Sequence, residues 1–287
     1  MSCRPIEHFS GLMERADAFL IDQFGTIHDG EEPYPEAIEA LRALRAAGKR
    51  VILLSNSGRR ASTNERRLAA LGFTRDCYDA SLCSGEVGWR ALRADPPLPL
   101  RRSCRVLLFA RGRSLDILEG FDVKATEDPA AADLVMIAGS EADRCGYDAL
   151  WWRLRPAAER GLQAVCTNPD RVMMVGGALY PGPGQLAGAY HDAGGPVRWY
   201  GKPYADIYGA ALELLEGIPR QRIFAVGDSI ENDIAGAAAV GCKGVLVRTG
   251  ILARASAAEL EAEMIRCRAR PDAIWPAFAL EGCGSRR

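Results

Sequence analysis

The sequence predicts an α/β fold, a parallel sheet covered by helices on both faces. Three observations carry this. Short apolar runs of three to five residues recur along the chain, stretches with apolar residues at helical spacing lie between several of them, and glycine, proline or polar residues mark the junctions. Strands that alternate with helices in this way form right-handed crossover units, and so a doubly wound parallel sheet.

In chain order the buried-strand runs are 18–21, 51–54, 106–109, 134–138, 223–226 and 245–247. The stretch 35–47 places Ile38, Leu41 and Leu44 on one helical face, and Gly48 supplies the stop. Ser62 followed by Glu65 matches a capping box and predicts a helix start at Ser62. Another helix-like stretch runs from Tyr204 to Leu215. A Pro-rich break lies at Pro96, Pro97 and Pro99, and the Gly/Pro-rich passage from Gly176 to Gly184 reads as the approach to a hinge.

At 287 residues the chain is long enough for one large or two medium domains. Lys and Arg number 36 against 37 Asp and Glu, so no overall field draws it to nucleic acid or an anionic membrane. The basic cluster Arg101, Arg102 and Arg105 reads as a solvated face, and His8 and His191 as structural or surface residues. Nine cysteines lack any CxxC spacing, which argues against a disulfide framework or zinc cage and for a reducing, cytoplasmic setting. No segment approaches the roughly 18 apolar residues of a membrane span or has the pattern of a leader. Neither a nucleic-acid nor a membrane partner is expected, and the sequence leaves homo-oligomerisation open.

Four segments carry chemistry. Residues 19–26, FLIDQFGT, are an apolar strand ending in Asp22 and turning at Gly25; in open parallel sheets ligands sit beyond such strand ends. As a lone feature, Asp22 is equally well a turn aspartate. Residues 51–58, VILLSNSG, end a second strand in Ser55 and Asn56, whose side chains and backbone offer donors to a phosphate-like anion; a plain turn is the bland reading. Gly201-Lys202-Pro203 precedes a helix-like stretch, where the lysine is a point charge suited to a phosphoryl oxygen or simply a surface lysine. Finally 223–237, IFAVGDSIENDIAGA, delivers Asp228 to a strand end and Asp233 to the following helical stretch. Two such acids suit a hard cation with oxygen ligands, although Asp233 also reads as a helix cap.

Together and in this order the four segments resemble the signature set of the haloacid dehalogenase superfamily. The likeness implies a Rossmann-like core, Asp22 as nucleophile, Ser55 and Lys202 as anchors of the transferring group with Asn56 in the phosphate loop, and magnesium held by Asp22, the Phe24 backbone carbonyl and Asp228, with Asp233 as a second or water-mediated partner. Residues 83–86 (CSGE), 166–170 (CTNPD) and 181–184 (PGPG) resemble the class IIA branch, which includes sugar-phosphate and nitrophenyl-phosphate phosphatases. That likeness implies a core of residues 1–84 and 198–287 and an inserted α/β cap over 85–197. It also places Thr167, Asn168 and Asp170 near the substrate. The implied reaction is magnesium-dependent hydrolysis of a small phosphorylated metabolite through an aspartyl-phosphate.

One position departs from the pattern. The superfamily's phosphatases carry a second Asp two residues after the nucleophile, as general acid and base, and this chain has Phe24. Losing that group typically forfeits about a hundred- to ten-thousandfold in rate. Two alternatives follow, a magnesium- and phosphate-binding protein with little turnover, and a dehalogenase-like hydrolase, whose halide leaves without a proton. His28 and Asp29 follow closely as substitute donors or as water-exposed flap residues. The pair Trp151-Trp152 reads as packing against the cap sheet, with one indole open to a substrate role.

Overall fold

The structure, a computed structural model, describes residues 9–101 and 103–280. His8 and Arg102 lie outside the described residues, and Arg105 is exposed. The chain divides into two compact units. One takes the described residues up to Ser55, then Glu65–Leu82 and Tyr208 onward; the other takes Asn56–Asn64 and Cys83–Ile207.

The first unit holds a six-stranded sheet in the order Ala273–Trp275, Lys243–Val247, Ile223–Gly227, Ala18–Asp22, Arg50–Ser55, Ala80–Cys83. The central pairings are parallel, Ile21 lying beside Val226 and Leu53. Both Ala18–Asp22 and Ile223–Gly227 are buried along their whole length, as expected of strands covered on both faces. From Ala18–Asp22 the chain winds outward to Arg50–Ser55 on one side, and the later strands build outward on the other. The switch point of this doubly wound sheet is therefore the gap between Ala18–Asp22 and Ile223–Gly227, where such folds bind ligands.

Helix Ala37–Ala46 lies within the stretch expected for it and buries Ala37, Ala40, Leu41 and Leu44. Gly48, at φ +74°, ends it by donating to the Arg45 carbonyl. The start expected at Ser62 is corrected: the helix is Ala61–Ala70. The Ala61 N–H donates to Glu86, and Glu65 instead pairs with Arg75 at 2.8 Å. An ion pair and a distant acceptor have replaced the local cap. The full capping box occurs at Ser256 and Glu259, ahead of helix Ala257–Cys267.

The second unit holds a five-stranded parallel sheet in the order Val197–Trp199, Ala164–Cys166, Leu134–Ile137, Cys104–Phe109, Val123–Thr126, and an antiparallel hairpin of Val172–Val175 and Ala178–Pro181. Alternate residues point to opposite faces. Leu107, Phe109, Val135 and Ile137 pack with Leu150, Leu154 and Tyr190 on one side, while Val106, Leu134, Met136 and Val165 pack with Leu92 on the other. Trp151 joins the first cluster, whereas Trp152 is exposed beneath the Arg155 guanidinium. Within the passage read as the approach to a hinge, Gly176 and Gly177, at φ +57° and +76°, make the hairpin turn, and Pro183 opens helix Pro183–Asp192.

Glu86 ties this unit together, accepting from Arg60 Nε at 2.7 Å and Arg90 Nε at 3.0 Å, while the Arg60 guanidinium lies 3.6 Å over the Trp89 ring. Burial opposes ionisation of Glu86, but its bonds from Arg60 and the Ala61 N–H outweigh it and hold the carboxyl below its ordinary range. A depressed carboxyl pKa gives stability that is present above the unfolded-state value and lost as pH falls through the folded one. Glu86→Gln is accordingly expected to lower stability by about 1–3 kcal/mol at pH 7, with the gap closing in acid. Urea melts at pH 7 and pH 3.5 check this, and an equal gap at both would refute it.

Candidate active site

Asp22 ends the central strand and is buried. The chain then turns sharply: Thr26 and Ile27 donate their N–H groups to the Gln23 carbonyl, and Gly25 donates to the His28 carbonyl. Gly25 sits at φ +86°, a conformation side chains resist. The turn brings the Thr26 hydroxyl back to Asp22 Oδ2 at 3.1 Å, which fixes the rotation of the carboxylate.

Ile223–Gly227 brings Asp228 to the same end of the sheet, and a π-helical turn, Ile230–Ala235, follows. Ser229 caps that turn by accepting from Asn232, and Asp233 Oδ2 reaches back to accept the Ser229 N–H at 3.1 Å. Asp22, Asp228 and Asp233 are 7%, 5% and 3% exposed, and one carboxylate oxygen from each lies within 4.8 Å of the others. Three buried carboxylates this close repel one another without a counter-charge. An all-oxygen donor set of this kind fits a hard divalent cation.

Glycines make room for this convergence. A Cβ on Gly227 would lie 2.1 Å from the Asp233 carboxyl carbon, and one on Gly25 or Gly250 would lie 2.2 or 1.7 Å from Asp228 Oδ2. The loop after Lys243–Val247, missed from the sequence, closes the cradle. Ile251 donates its N–H to Asp228 Oδ2 at 2.8 Å, the Thr249 hydroxyl donates to the Gly25 carbonyl at 2.6 Å, and the Tyr34 hydroxyl donates to the Thr249 carbonyl at 3.0 Å. Gly250→Ala should therefore displace the Asp228 carboxylate and lower magnesium affinity at least about tenfold, with overpacking that removes about 1–3 kcal/mol of stability. Calorimetric titration and a melt decide this; unchanged affinity would mean that the loop does not set the carboxylate.

Phe24 is half-buried, its ring edge-on to His28 at 5.8 Å between centroids, and a Cβ on Gly30 would lie 2.7 Å from Phe24 Cε2. His28 is buried, leans on Phe73 and has no hydrogen-bond partner at Nδ1 among the described residues. Burial, then the nearby Arg67 charge, push its pKa down to about 4, so the ring is neutral near pH 7. Asp29 is exposed and accepts from the Glu31 and Glu32 N–H groups, which hold its carboxyl below the ordinary range. It is a turn-forming group.

Ser55 ends its strand buried in the first unit, and the chain enters the second unit at Asn56. There Asn56 Oδ1 accepts the Lys202 N–H at 2.7 Å, and Asn56 Nδ2 donates to the Lys202 carbonyl at 3.0 Å and to Asp170 Oδ1 at 2.8 Å. Lys202 is buried. Asn168 Oδ1 accepts the Asp170 N–H, and Thr167 is fully buried with its carbonyl accepting from the Ser84 hydroxyl. His191 is exposed in the last turn of its helix.

A family model described as haloacid dehalogenase-like hydrolase matches residues 19–124, and a second model of the same superfamily matches 199–278. The sugar-phosphatase AraL of Bacillus subtilis (strain 168) is 31% identical over 235 residues, 80% of this chain and 82% of that protein. The chain belongs to the haloacid dehalogenase-like hydrolases. A hydrolase of the haloacid dehalogenase-like family from Brucella suis 1330 is 30% identical, with a TM-score of 0.79 over 94% of this chain and 98% of that one. The p-nitrophenyl phosphatase from Archaeoglobus fulgidus is 27% identical, with a TM-score of 0.67 over 92% and 97%. Among haloacid dehalogenase-like hydrolases the chain falls in class IIA, and by family it is a hydrolase of the phosphatase kind. No described helix is long and apolar enough to cross a membrane.

Proposed function

We propose that the protein is a magnesium-dependent phosphatase of small phosphorylated metabolites that works through an aspartyl-phosphate. The observation that carries this is the cluster of Asp22, Asp228 and Asp233 at the sheet's switch point, cradled by Gly25, Gly227 and Gly250. Asp22, Asp228 and the Phe24 backbone carbonyl would hold the metal, with Asp233 beside them. When bound, magnesium supplies positive charge that lets an anionic nucleophile approach an anionic substrate.

In the first half-reaction an Asp22 oxygen attacks phosphorus and the bond to the ester oxygen breaks, with Thr26 keeping the carboxylate in one rotation. Water then attacks the acyl-phosphate and returns Asp22 and inorganic phosphate. Ser55 and Lys202 take the family's anchoring roles for the transferring group. We assign substrate choice to the segment containing Thr167, Asn168 and Asp170 in the second unit, the family's cap. The buried three-acid cluster speaks for this reading over a dehalogenase.

Phe24 favours a second reading, a magnesium- and phosphate-binding protein that turns over little. A screen of sugar phosphates and p-nitrophenyl phosphate with and without magnesium separates the two. Hydrolysis that survives complete chelation would sink the metal-dependent reading. Asp228→Ala should weaken magnesium binding about a hundredfold or more, since even outer partners of a metal ligand are worth about 10–100-fold. Equal binding by wild type and variant in a calorimetric titration would remove Asp228 from the site.

A further inference from the structure

The Asn56 side chain sits where a phosphate-loop amide is expected, yet its hydrogens are already committed. A backbone N–H can only donate, so the bond from Lys202 N fixes Oδ1 as the atom it meets. Nδ2 has two hydrogens, and they go to the Lys202 carbonyl and to Asp170 Oδ1. The amide thus pairs with both main-chain groups of Lys202, while a carboxylate fixes its orientation. All three residues belong to one compact unit, so the arrangement is intrinsic to it.

The surroundings are built for this clamp. Gly201 sits at φ +111°, and a Cβ there would lie 2.7 Å from Ser84 Cβ, 2.8 Å from Asn56 Oδ1 and 2.9 Å from Pro169 Cδ. On the other flank the Gly85 N–H donates to the Ser57 carbonyl at 3.0 Å, and a Cβ on Gly85 would lie 2.3 Å from the Gly58 carbonyl carbon. The segment that follows Ser55 is thereby fastened to Lys202 at one end and to Ser84-Gly85-Glu86 at the other. A buried, charge-assisted and bidentate contact of this kind is the sort that fixes geometry.

We infer that Asn56 is a positioning residue that holds the Lys202 main chain, and that Asp170 serves the reaction by orienting Asn56. The inference rests on the reading of Lys202 as the residue that neutralises the transferring group. Its consequence is that Asn56 and Asp170 act through Lys202 and contribute nothing once the ammonium is gone.

A double-mutant cycle on the full chain tests this, with p-nitrophenyl phosphate and magnesium as the probe. Lys202→Met should lower kcat/KM by about a thousandfold, and Asn56→Ala by about a hundredfold, the effect of misplacing a reacting group by an ångström. The double variant should be no worse than Lys202→Met within about threefold, because effects in one chain of contacts do not add. Asp170→Asn keeps an acceptor for Nδ2 and should retain activity within about fivefold, while Asp170→Ala approaches Asn56→Ala. If Asn56→Ala melts too low to assay, the same cycle with Asp170→Ala decides. A double variant whose loss equals the product of the single losses would overturn the positioning role and leave Lys202 its own. A Lys202→Met variant as active as wild type would overturn both.

Discussion

Asp22→Asn is expected to lower turnover of p-nitrophenyl phosphate by at least a thousandfold, on the order of 4 kcal/mol of barrier, while raising the melting temperature of the metal-free protein. The amide is nearly isosteric and still accepts from Thr26, which now donates to Asp22 Oδ2 at 3.1 Å, so the turn after the strand should persist. What is lost is the anionic oxygen that forms the bond to phosphorus, and with it the covalent route. The opposite sign on stability follows from the same cluster. One oxygen from each of three buried aspartates lies within 4.8 Å of the others, and neutralising one relieves a repulsion worth on the order of 1 kcal/mol, a few degrees in melting temperature. Magnesium should reverse the ranking, because a ligand that binds only the folded state raises its stability by mass action and the wild type has the fuller donor set. Steady-state assays beside melts in chelator and in magnesium measure both halves. A variant that loses activity and melts lower in chelator would point to a structural role for Asp22 and against the charged cluster.

The core strands were legible because each is a short apolar run, and a parallel sheet carries the ends of the central two, with Asp22 and Asp228, to one edge. Local periodicity also placed the helix of Ala37–Ala46, whose apolar stripe and terminal Gly48 agree. The start at Ser62 failed for the reason such signals fail, tertiary partners. Glu65 found Arg75, and Glu86 took the first N–H of the helix, that of Ala61. The loop of Thr249, Gly250 and Ile251 was not legible, since its role depends on Asp228 lying against it in space. A signal was present all the same: Gly25, Gly227 and Gly250 each fall near the end of a buried strand, and all three abut a site carboxylate. The Asn56 contacts were out of reach because two of its partners lie more than a hundred residues further along the chain.

Phe24→Asp is expected to raise kcat/KM on sugar phosphates by about a hundred- to ten-thousandfold, the range a positioned general acid and base supplies, with a far smaller gain in kcat/KM on p-nitrophenyl phosphate, because that constant reports the first half-reaction alone. The argument lies in the leaving group. Nitrophenolate departs as a stable anion, so the first half-reaction proceeds without an acid, whereas a sugar alkoxide needs its proton in the transition state. Hydrolysis of the aspartyl-phosphate lacks its base with either substrate. Wild type should therefore show a burst of nitrophenol followed by a slow steady state, and Phe24→Asp should abolish the burst as the second step quickens. The change also removes a half-buried ring packed against His28 and Gly30, so a melt must accompany it, with a loss of about 1–3 kcal/mol expected from lost packing and a partly buried carboxylate. The two neighbouring candidates bear on the outcome. Asp29 is occupied by the Glu31 and Glu32 N–H groups, and His28 is buried with its pKa pushed down to about 4, so neither His28→Gln nor Asp29→Ala should lower kcat on sugar phosphates by more than about threefold if Phe24 leaves the acid/base position empty. Fast, burst-free hydrolysis of ordinary sugar phosphates by wild type would defeat the claim, and a collapse confined to the His28 or Asp29 variant would move the proton donor to that residue.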